Sequence, residues 1–257
     1  MSGERLDALV AGNAGISKSQ ARSLIMEGRV RVNGTPATKP GASVRPEAQI
    51  EIERPRPFVS RGGEKLAHAL DVFGIDPTGL QTLDIGASTG GFTDCLLSGG
   101  AAHVTAVDVG YGQLDWKLRN DPRVTVVERT NFRHLPDDAF PNGFDLIAID
   151  TSFISLRTIL ARAVGYLCSA GEVVALVKPQ FEAGRERLSS GGVVRDPEVH
   201  RAILREVRDA MEPLGLGALA LVASPLLGPA GNREFLMQVR RGRTVLDDAT
   251  IDAVVAS

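Results

Sequence analysis

The chain has 257 residues, 43% of them hydrophobic, and a formal net charge of only −2. This excludes a charged disordered polymer and leaves room for one large domain with an appendage or two ordinary domains. Its two cysteines, Cys95 and Cys168, make neither a disulfide framework nor a metal-ligand spacing, so a reducing, cytoplasmic setting and no bound metal are expected.

No stretch approaches the roughly 18 apolar residues of a membrane span. The opening MSGERLDALVAGNAG lacks the apolar centre of a signal peptide. Residues 1–60 carry nine Lys+Arg against six Asp+Glu, an excess of basic charge that the rest of the chain reverses. A basic leading segment points toward nucleic acid, the plain alternative being a solvated surface.

In chain order, RLDALVAG reads as a short helix with Leu6, Leu9 and Val10 on one side. In SKSQARSLIMEG, Ser17 and Gln20 form a capping box, Ala21, Leu24, Ile25 and Met26 supply an apolar face, and Gly28 stops the helix. RVRVNG gives a strand and an Asn33-Gly34 turn, and Ile50 and Ile52 alternate in a further strand. This unit, residues 1–53, has a core that is marginal alone. Arg54-Pro55-Arg56-Pro57 stiffens a linker over 54–61.

GGEKLAHALDVFGI follows as an amphipathic helix carrying Leu66, Ala69, Leu70 and Phe73. Then come LDIG, HVTAVDV, VTVVE, FDLIAID and EVVALVK, most of them separated by helix-like segments. That alternation argues a parallel sheet covered on both faces. LALVAS and EFLMQVR are joined by PLLGPAGN, too short for a crossover helix, so an antiparallel pair closes one side. The main α/β domain is expected over 62–243, with 244–257 as a C-terminal tail.

The turn after the first of these strands is Asp84-Ile85-Gly86-Ala87-Ser88-Thr89-Gly90-Gly91. Ser88 stands where a dinucleotide fingerprint needs its second glycine, and no Gly-Lys-Ser/Thr follows for a phosphate loop. A strand-end carboxylate followed by Gly-x-x-x-Gly suits a nucleoside bearing an amino-acid tail and no pyrophosphate. Asp108, at the end of the next strand, is placed to accept from both ribose hydroxyls. Together these features resemble the S-adenosylmethionine site of Rossmann-like methyltransferases.

Asp150 and Lys178 end the fourth and fifth strands, where ligands of open α/β sheets bind. The leading helix adds Lys65, and Glu234 opens the last strand. A ribose hydroxyl is a weak acid and needs a base, a role open to a lysine whose charge is disfavoured by its surroundings. The plain alternative for each residue is an ion pair at the surface.

Lys65, Asp150, Lys178 and Glu234 resemble the K-D-K-E tetrad of ribose 2'-O-methyltransferases of the FtsJ/RrmJ type. SRGGEKL, LDIGASTGGFTD, AVDVGYGQLDWKLR, SFISL, VKPQFE, GGVVRDP and SPLLGPAGNREF together are similar to the TlyA family of bacterial ribosomal RNA 2'-O-methyltransferases, often labelled hemolysin A. The resemblance implies a Rossmann-like class I methyltransferase domain, with a seven-stranded, mostly parallel sheet and an antiparallel last strand. A small α+β S4 RNA-binding domain would precede it. It implies S-adenosylmethionine as cofactor, held by Asp84, Gly86, Ala87, Ser88, Thr89, Gly90, Gly91, Phe92, Asp108, Asn131 near the adenine, and Asp150.

By the same resemblance the substrate is a cytidine ribose of ribosomal RNA within a ribosomal subunit, and Lys178 is the base or its close equivalent. No obligate protein partner and no membrane are expected. Thr151 departs from the aliphatic residue usual there. The short start before Arg5 is of the form associated with the 23S RNA of the large subunit, a longer form also modifying 16S.

S4 domains hold RNA by shape and phosphate contacts. Arg5, Lys18, Arg22, Arg29, Arg31, Lys39 and Arg45 are the expected contacts there, with Arg56, Phe58 and Arg61 in and beside the linker. FEAGRERLSSGGVVRDP, with Arg185 and Arg187, reads as a flexible basic lid over the target nucleotide. Two other readings are a membrane-acting hemolysin and a noncatalytic RNA-binding protein that responds to S-adenosylmethionine. The first lacks a span, and the tetrad argues against the second.

Overall fold

A computed structural model describes residues 3–45, 47–52, 57–189, 191–228 and 230–257. The chain divides into two compact units, 1–56 and 57–257. In the first, β1 (Glu4–Arg5) leads into α1 (Leu6–Ala14), followed by α2 (Lys18–Met26), β2 (Val30–Val32), β3 (Thr35–Pro36), β4 (Ser43–Val44) and β5 (Ile50–Ile52). An antiparallel β3-β2-β5 sheet and a β1-β4 pair support the two helices.

Leu6, Val10, Ala21, Ile25 and Val30 have no exposed surface and form this unit's core. α2 begins where Ser17 Oγ accepts from the Gln20 amide at 3.2 Å and Gln20 Oε1 accepts from the Ser17 amide at 2.9 Å. Asn33 and Gly34 both take positive φ, 51° and 77°, as a tight hairpin turn between twisted strands requires. Met26 corrects the apolar-face expectation. It is 67% exposed, because the helical period puts Ala21 and Ile25 on the packed side and carries Met26 past it.

The second unit runs α3 (Arg61–Phe73), β6 (Gln81–Ile85), α4 (Gly91–Ser98), β7 (His103–Val107), α5 (Trp116–Arg119), β8 (Val124–Val127) and β9 (Phe144–Ile149). It continues with α6 (Leu156–Ala163), β10 (Leu167–Val177), α7 (Pro179–Glu182), α8 (Pro197–Asp209), β11 (Leu216–Ala223), β12 (Phe235–Arg241) and α9 (Asp248–Ala256). The sheet order is β11-β12-β10-β9-β6-β7-β8. β8, β7, β6, β9 and β10 are parallel neighbours, and β12 runs antiparallel to both β10 and β11.

Alternation along the central strands builds two apolar layers. Ile147, Ile149, Val173, Ala175 and Val177 face one core with residues of α6, α8 and α9, while Leu146, Ala148, Val174 and Leu176 face the other with α3 and α4. Each such large side chain contributes on the order of 1.5–3 kcal/mol. The strand order reverses between β6 and β9, and a crevice opens beyond their carboxyl ends.

Two sequence boundaries are revised. Residues 244–257 are not a tail: Leu246, Ile251 and Val255 are buried in the sheet's core, and Asp248 and Asp252 of α9 pair with Arg205 of α8. Of the expected linker, 54–56 lie outside the described residues, while Phe58 and Val59 pack into the α3–α4 core and α3 starts at Arg61. Among the described residues no helix is long and apolar enough to cross a membrane.

Candidate active site

The glycine turn after β6 is shaped by close approach. Gly86 has φ +89°, and a Cβ there would stand 2.5 Å from the Asp150 carbonyl oxygen. Only glycine lets the first and fourth strands' loops cross at that point. Gly91, at the start of α4, lies against Ser60 and the Gly63 amide, which locks α4 to the helix that carries Lys65.

A cavity of about 480 Å³ opens here, lined by Gly86, Ser88, Asp108, Asn131, Asp150, Ser152 and Phe153 among others. That is a size typical of small-molecule sites. Asp108 Oδ2 accepts from the Ser88 amide at 2.8 Å and Oδ1 from the Gly110 amide at 2.6 Å, which fixes the carboxylate at the wall. Asn131 Oδ1 accepts from the Arg133 amide at 3.2 Å, orienting its side chain beside the cavity.

Asp84 lies beneath the turn, fully buried. Its Oδ2 accepts from Thr93 Oγ1 at 2.6 Å, and its Oδ1 has no partner. Burial pushes its pKa up to about 7; the Thr93 hydrogen bond opposes this and the charge of Asp150 adds to it. Ala87 and Phe92 are buried, Thr89 is exposed, and Gly90 and Gly91 start α4; these five shape the turn.

An orphaned buried oxygen, two wall carboxylates and a glycine cradle fit a ligand bearing positive charge and a ribose. They do not fit a pyrophosphate, which Asp108 and Asp150 would repel. S-adenosylmethionine, with its sulfonium, ammonium and ribose, matches that donor set.

Lys178 ends β10 and stands over this wall. Its Nζ is 2.6 Å from Asp150 Oδ1, at an angle that makes the contact an ion pair, not a hydrogen bond, and it donates to Ser152 Oγ at 2.9 Å. Lys65 and Glu234 form a second, buried ion pair. Glu234 precedes Phe235, whose backbone pairs with Val177, so it enters beside Lys178. A Cβ on Gly62, one turn before Lys65, would stand 3.8 Å from Asp150 Oδ2. The four expected residues thus come from α3, β9, β10 and the start of β12 to one end of the sheet.

Ser152 and Phe153, to which the sequence assigned no role, also line the cavity. Phe153 is 90% exposed at φ +63°, a conformation strained for an aromatic residue, and its ring lies 5.0 Å from that of Phe181. Tyr111, 66% exposed, carries the Arg129 guanidinium 4.0 Å over its ring, and Trp116 is 77% exposed. Ser152 and Phe153 sit in the SFISL motif, so placement after a strand end was the available signal.

The expected RNA contacts divide. Lys18, Lys39 and Arg45 are exposed. Arg5 and Arg22 converge on buried Asp7 at 2.7 and 3.0 Å and hold α1 to α2, and Arg5 above all keeps the Asp7 carboxyl far below the usual carboxylate range. Arg31 donates to the Gly34 carbonyl, Arg29 pairs with Glu27, Arg61 donates to the Leu227 carbonyl, and Arg187 pairs with Glu206. Phe58 packs on Gly63. Arg56 and the side chain of Arg185 lie outside the described residues.

The expected lid is more anchored than its glycines imply. Ser189 bridges to Val193, and Asn232 Oδ1 accepts from the Val194 amide at 2.9 Å. Val194 is 2% exposed.

Sheet order, glycine turn and strand-end carboxylates define a Rossmann-like class I methyltransferase. Residues 58–241 match the FtsJ-like methyltransferase family and residues 4–50 the S4 domain. The chain is 48% identical over 240 residues to the 16S/23S rRNA (cytidine-2'-O)-methyltransferase TlyA of Mycobacterium tuberculosis, covering 92% of this chain and 89% of that one. It is 34% identical over 179 residues, 69% of each chain, to the 23S rRNA (cytidine-2'-O)-methyltransferase TlyA of Campylobacter jejuni. A solved structure from Streptococcus thermophilus, described under the hemolysin name, has a TM-score of 0.78 at 41% identity, covering 100% of this chain and 95% of that one. The chain belongs to the TlyA family.

Proposed function

We propose that this enzyme uses S-adenosylmethionine to methylate the ribose 2'-hydroxyl of a cytidine in ribosomal RNA, with 23S RNA of the large subunit as substrate and the S4 unit contributing RNA contacts. The observation that carries the reading is Lys178 Nζ, held by Asp150 and Ser152 at the wall of the cavity beside the Lys65–Glu234 pair. The rRNA (cytidine-2'-O)-methyltransferase activity for which the mycobacterial and Campylobacter relatives are named supports the same chemistry.

Bound S-adenosylmethionine supplies an electrophilic methyl group on a sulfonium. Asp108 would accept from the ribose of that cofactor, and the buried Asp84 would add negative charge beneath the turn. Lys178 would take the proton of the attacking hydroxyl while its oxygen bonds to the methyl carbon and the carbon–sulfur bond breaks, the sulfonium leaving as a neutral thioether. Asp150 and Ser152 aim Nζ, and the Lys65–Glu234 pair fixes α3 against the start of β12. Fixing the reacting atoms in this way supplies most of what an already activated donor needs.

Phe153 is the surface on which a base of the RNA stacks. Stacking on an exposed aromatic is worth about 1–3 kcal/mol per base. Phe153→Gly should therefore lower kcat/KM for ribosomal substrate by about 10- to 100-fold. Because glycine relieves the strained φ of a residue that buries almost nothing, the thermal midpoint should hold or rise. A fall in thermal midpoint together with unchanged kcat/KM would reverse both assignments.

The decisive assay supplies unmodified 30S and 50S subunits with methyl-labelled cofactor and maps the labelled ribose. Label on a cytidine of 50S RNA is expected. Identity is higher to the relative named for both RNAs, so the 30S arm reads the breadth of specificity directly. Absence of label from both subunits rejects the proposal.

A further inference from the structure

Glu182 is a buried carboxylate without a part in the chemistry above. It ends the single turn α7, four residues after Lys178, and its side chain is 2% exposed. Oε1 accepts from the Leu156 amide at 2.6 Å, and Oε2 accepts from Ser155 Oγ at 2.7 Å. Arg157 Nε stands 3.5 Å from Oε2.

Ser155 is the N-cap residue of α6, yet its own side chain caps nothing. The acceptor for the first amide of α6 comes instead from Glu182, which places a negative charge where the helix dipole favours it. The consequence lies in what this contact joins. Residues 150–156 leave β9 through Asp150, Ser152 and Phe153 and enter α6. Residues 178–182 leave β10 through Lys178 and Phe181. The two segments meet at the Lys178–Asp150 pair, the Lys178–Ser152 hydrogen bond, the Phe153–Phe181 ring contact and the Glu182 bonds. The carboxylate bonds lie deepest and do not face the cavity.

We propose that Glu182 is a positioning residue for methyl transfer, resting on the function proposed above. It clamps the loop after β9 to the turn after β10. In doing so it sets both the distance from Lys178 to Asp150 and the seat of Phe153 on Phe181. It touches neither cofactor nor RNA. Glutamine can reproduce both links, its oxygen accepting from the Leu156 amide and its amide donating to Ser155 Oγ. Alanine reproduces neither.

The test measures kcat on unmodified 50S subunits, cofactor Kd by calorimetry and thermal midpoint for wild type, Glu182→Gln, Glu182→Ala and Ser155→Ala. Crystal structures of wild type and Glu182→Ala accompany them. Glu182→Ala should lose about 100-fold in kcat, as a displacement near 1 Å of a reacting group does. Its cofactor Kd should stay within about threefold, since the turn holding Asp84 and Asp108 is untouched, and Glu182→Gln should restore kcat to within about threefold of wild type. Ser155→Ala removes one link of the two and should lose about three- to tenfold, which keeps the proposal open to test where alanine at 182 prevents folding.

The proposal is overturned if kcat per folded molecule is unchanged in Glu182→Ala, if the glutamine variant is as slow as alanine, or if cofactor affinity falls in step with kcat. It is equally overturned if the Glu182→Ala structure keeps Lys178 on Asp150 and Phe153 on Phe181, whatever the activity. An inactive wild type would instead reject the proposed function, and the crystal structures would still decide the clamp.

Discussion

Lys178→Met should lower single-turnover methylation of 50S subunits by about 10³-fold or more while cofactor binding persists. General-base catalysis contributes about 10²–10⁴-fold, and a 10³-fold loss corresponds to about 4 kcal/mol of transition-state stabilisation. The companion substitution is Lys178→Arg. Arginine keeps the positive charge opposite Asp150 and the donor to Ser152, but it does not give up its proton in a protein. If Lys178 acts only by holding charge, arginine should keep a tenth or more of the rate. If it takes the hydroxyl proton, arginine should be as slow as methionine. Calorimetric cofactor titration of each variant separates loss of the base from loss of the pocket, because Asp150 lines the cavity and also pairs with Lys178.

The same neighbourhood shows how far one sequence reaches. The β-strands were legible because Val, Ile, Leu and Ala run without a break through LIAI at 146–149 and VVALV at 173–177, which is what burial on both faces demands. The reversed β12 was legible because PLLGPAGN is too short to cross over. Residue types at strand ends made Asp84, Asp108, Asp150 and Lys178 readable as candidates, since position in an open sheet is fixed by chain order.

Partners across the site were less accessible. Nothing local in KPQFE says that Glu182 reaches back to the Leu156 amide, 26 residues away. Nor does RLDALV say that Asp7 draws Arg5 and Arg22 inward, which makes two expected RNA contacts into supports of a small core. Phe153 was hidden for another reason. An aromatic after a strand is normally core, and only its φ of +63° turns it outward. The helix at 248–256 escaped because Ile251, Val254, Val255 and its three alanines gather on no single face and follow an exposed segment. Its place was set by the arginines of α8, outside any local pattern.

Asp84→Asn should remove the loss of stability that the ligand-free protein suffers between about pH 4 and pH 7. The Asp84 carboxyl is pushed from its ordinary 3.8 to about 7 in the fold. Below about pH 4 both folded and unfolded chains hold the proton, and the stability this group confers is fully present. Between there and pH 7 the unfolded chain has lost a proton that the folded chain keeps, so stability falls with each rise in pH. Above pH 7 the buried carboxylate is charged beside Asp150 and Asp108, and the loss is complete, on the order of 4 kcal/mol across the interval. Asparagine has no such titration. It accepts from Thr93 as aspartate does, but buries an amide in place of the orphaned Oδ1. Thermal midpoints without cofactor should therefore show the variant equal to or below wild type at pH 5 and clearly above it at pH 8. A difference that stays flat from pH 5 to pH 8 would mean that Asp84 is ionised throughout. The functional side follows from the same charge. A cationic cofactor favours the ionised form, so wild-type affinity should tighten from pH 6 to pH 8 with release of a proton, measurable as a calorimetric heat that depends on the buffer. Asp84→Asn should bind about tenfold more weakly at pH 8, the scale of one lost opposite charge near the site, and without that pH slope.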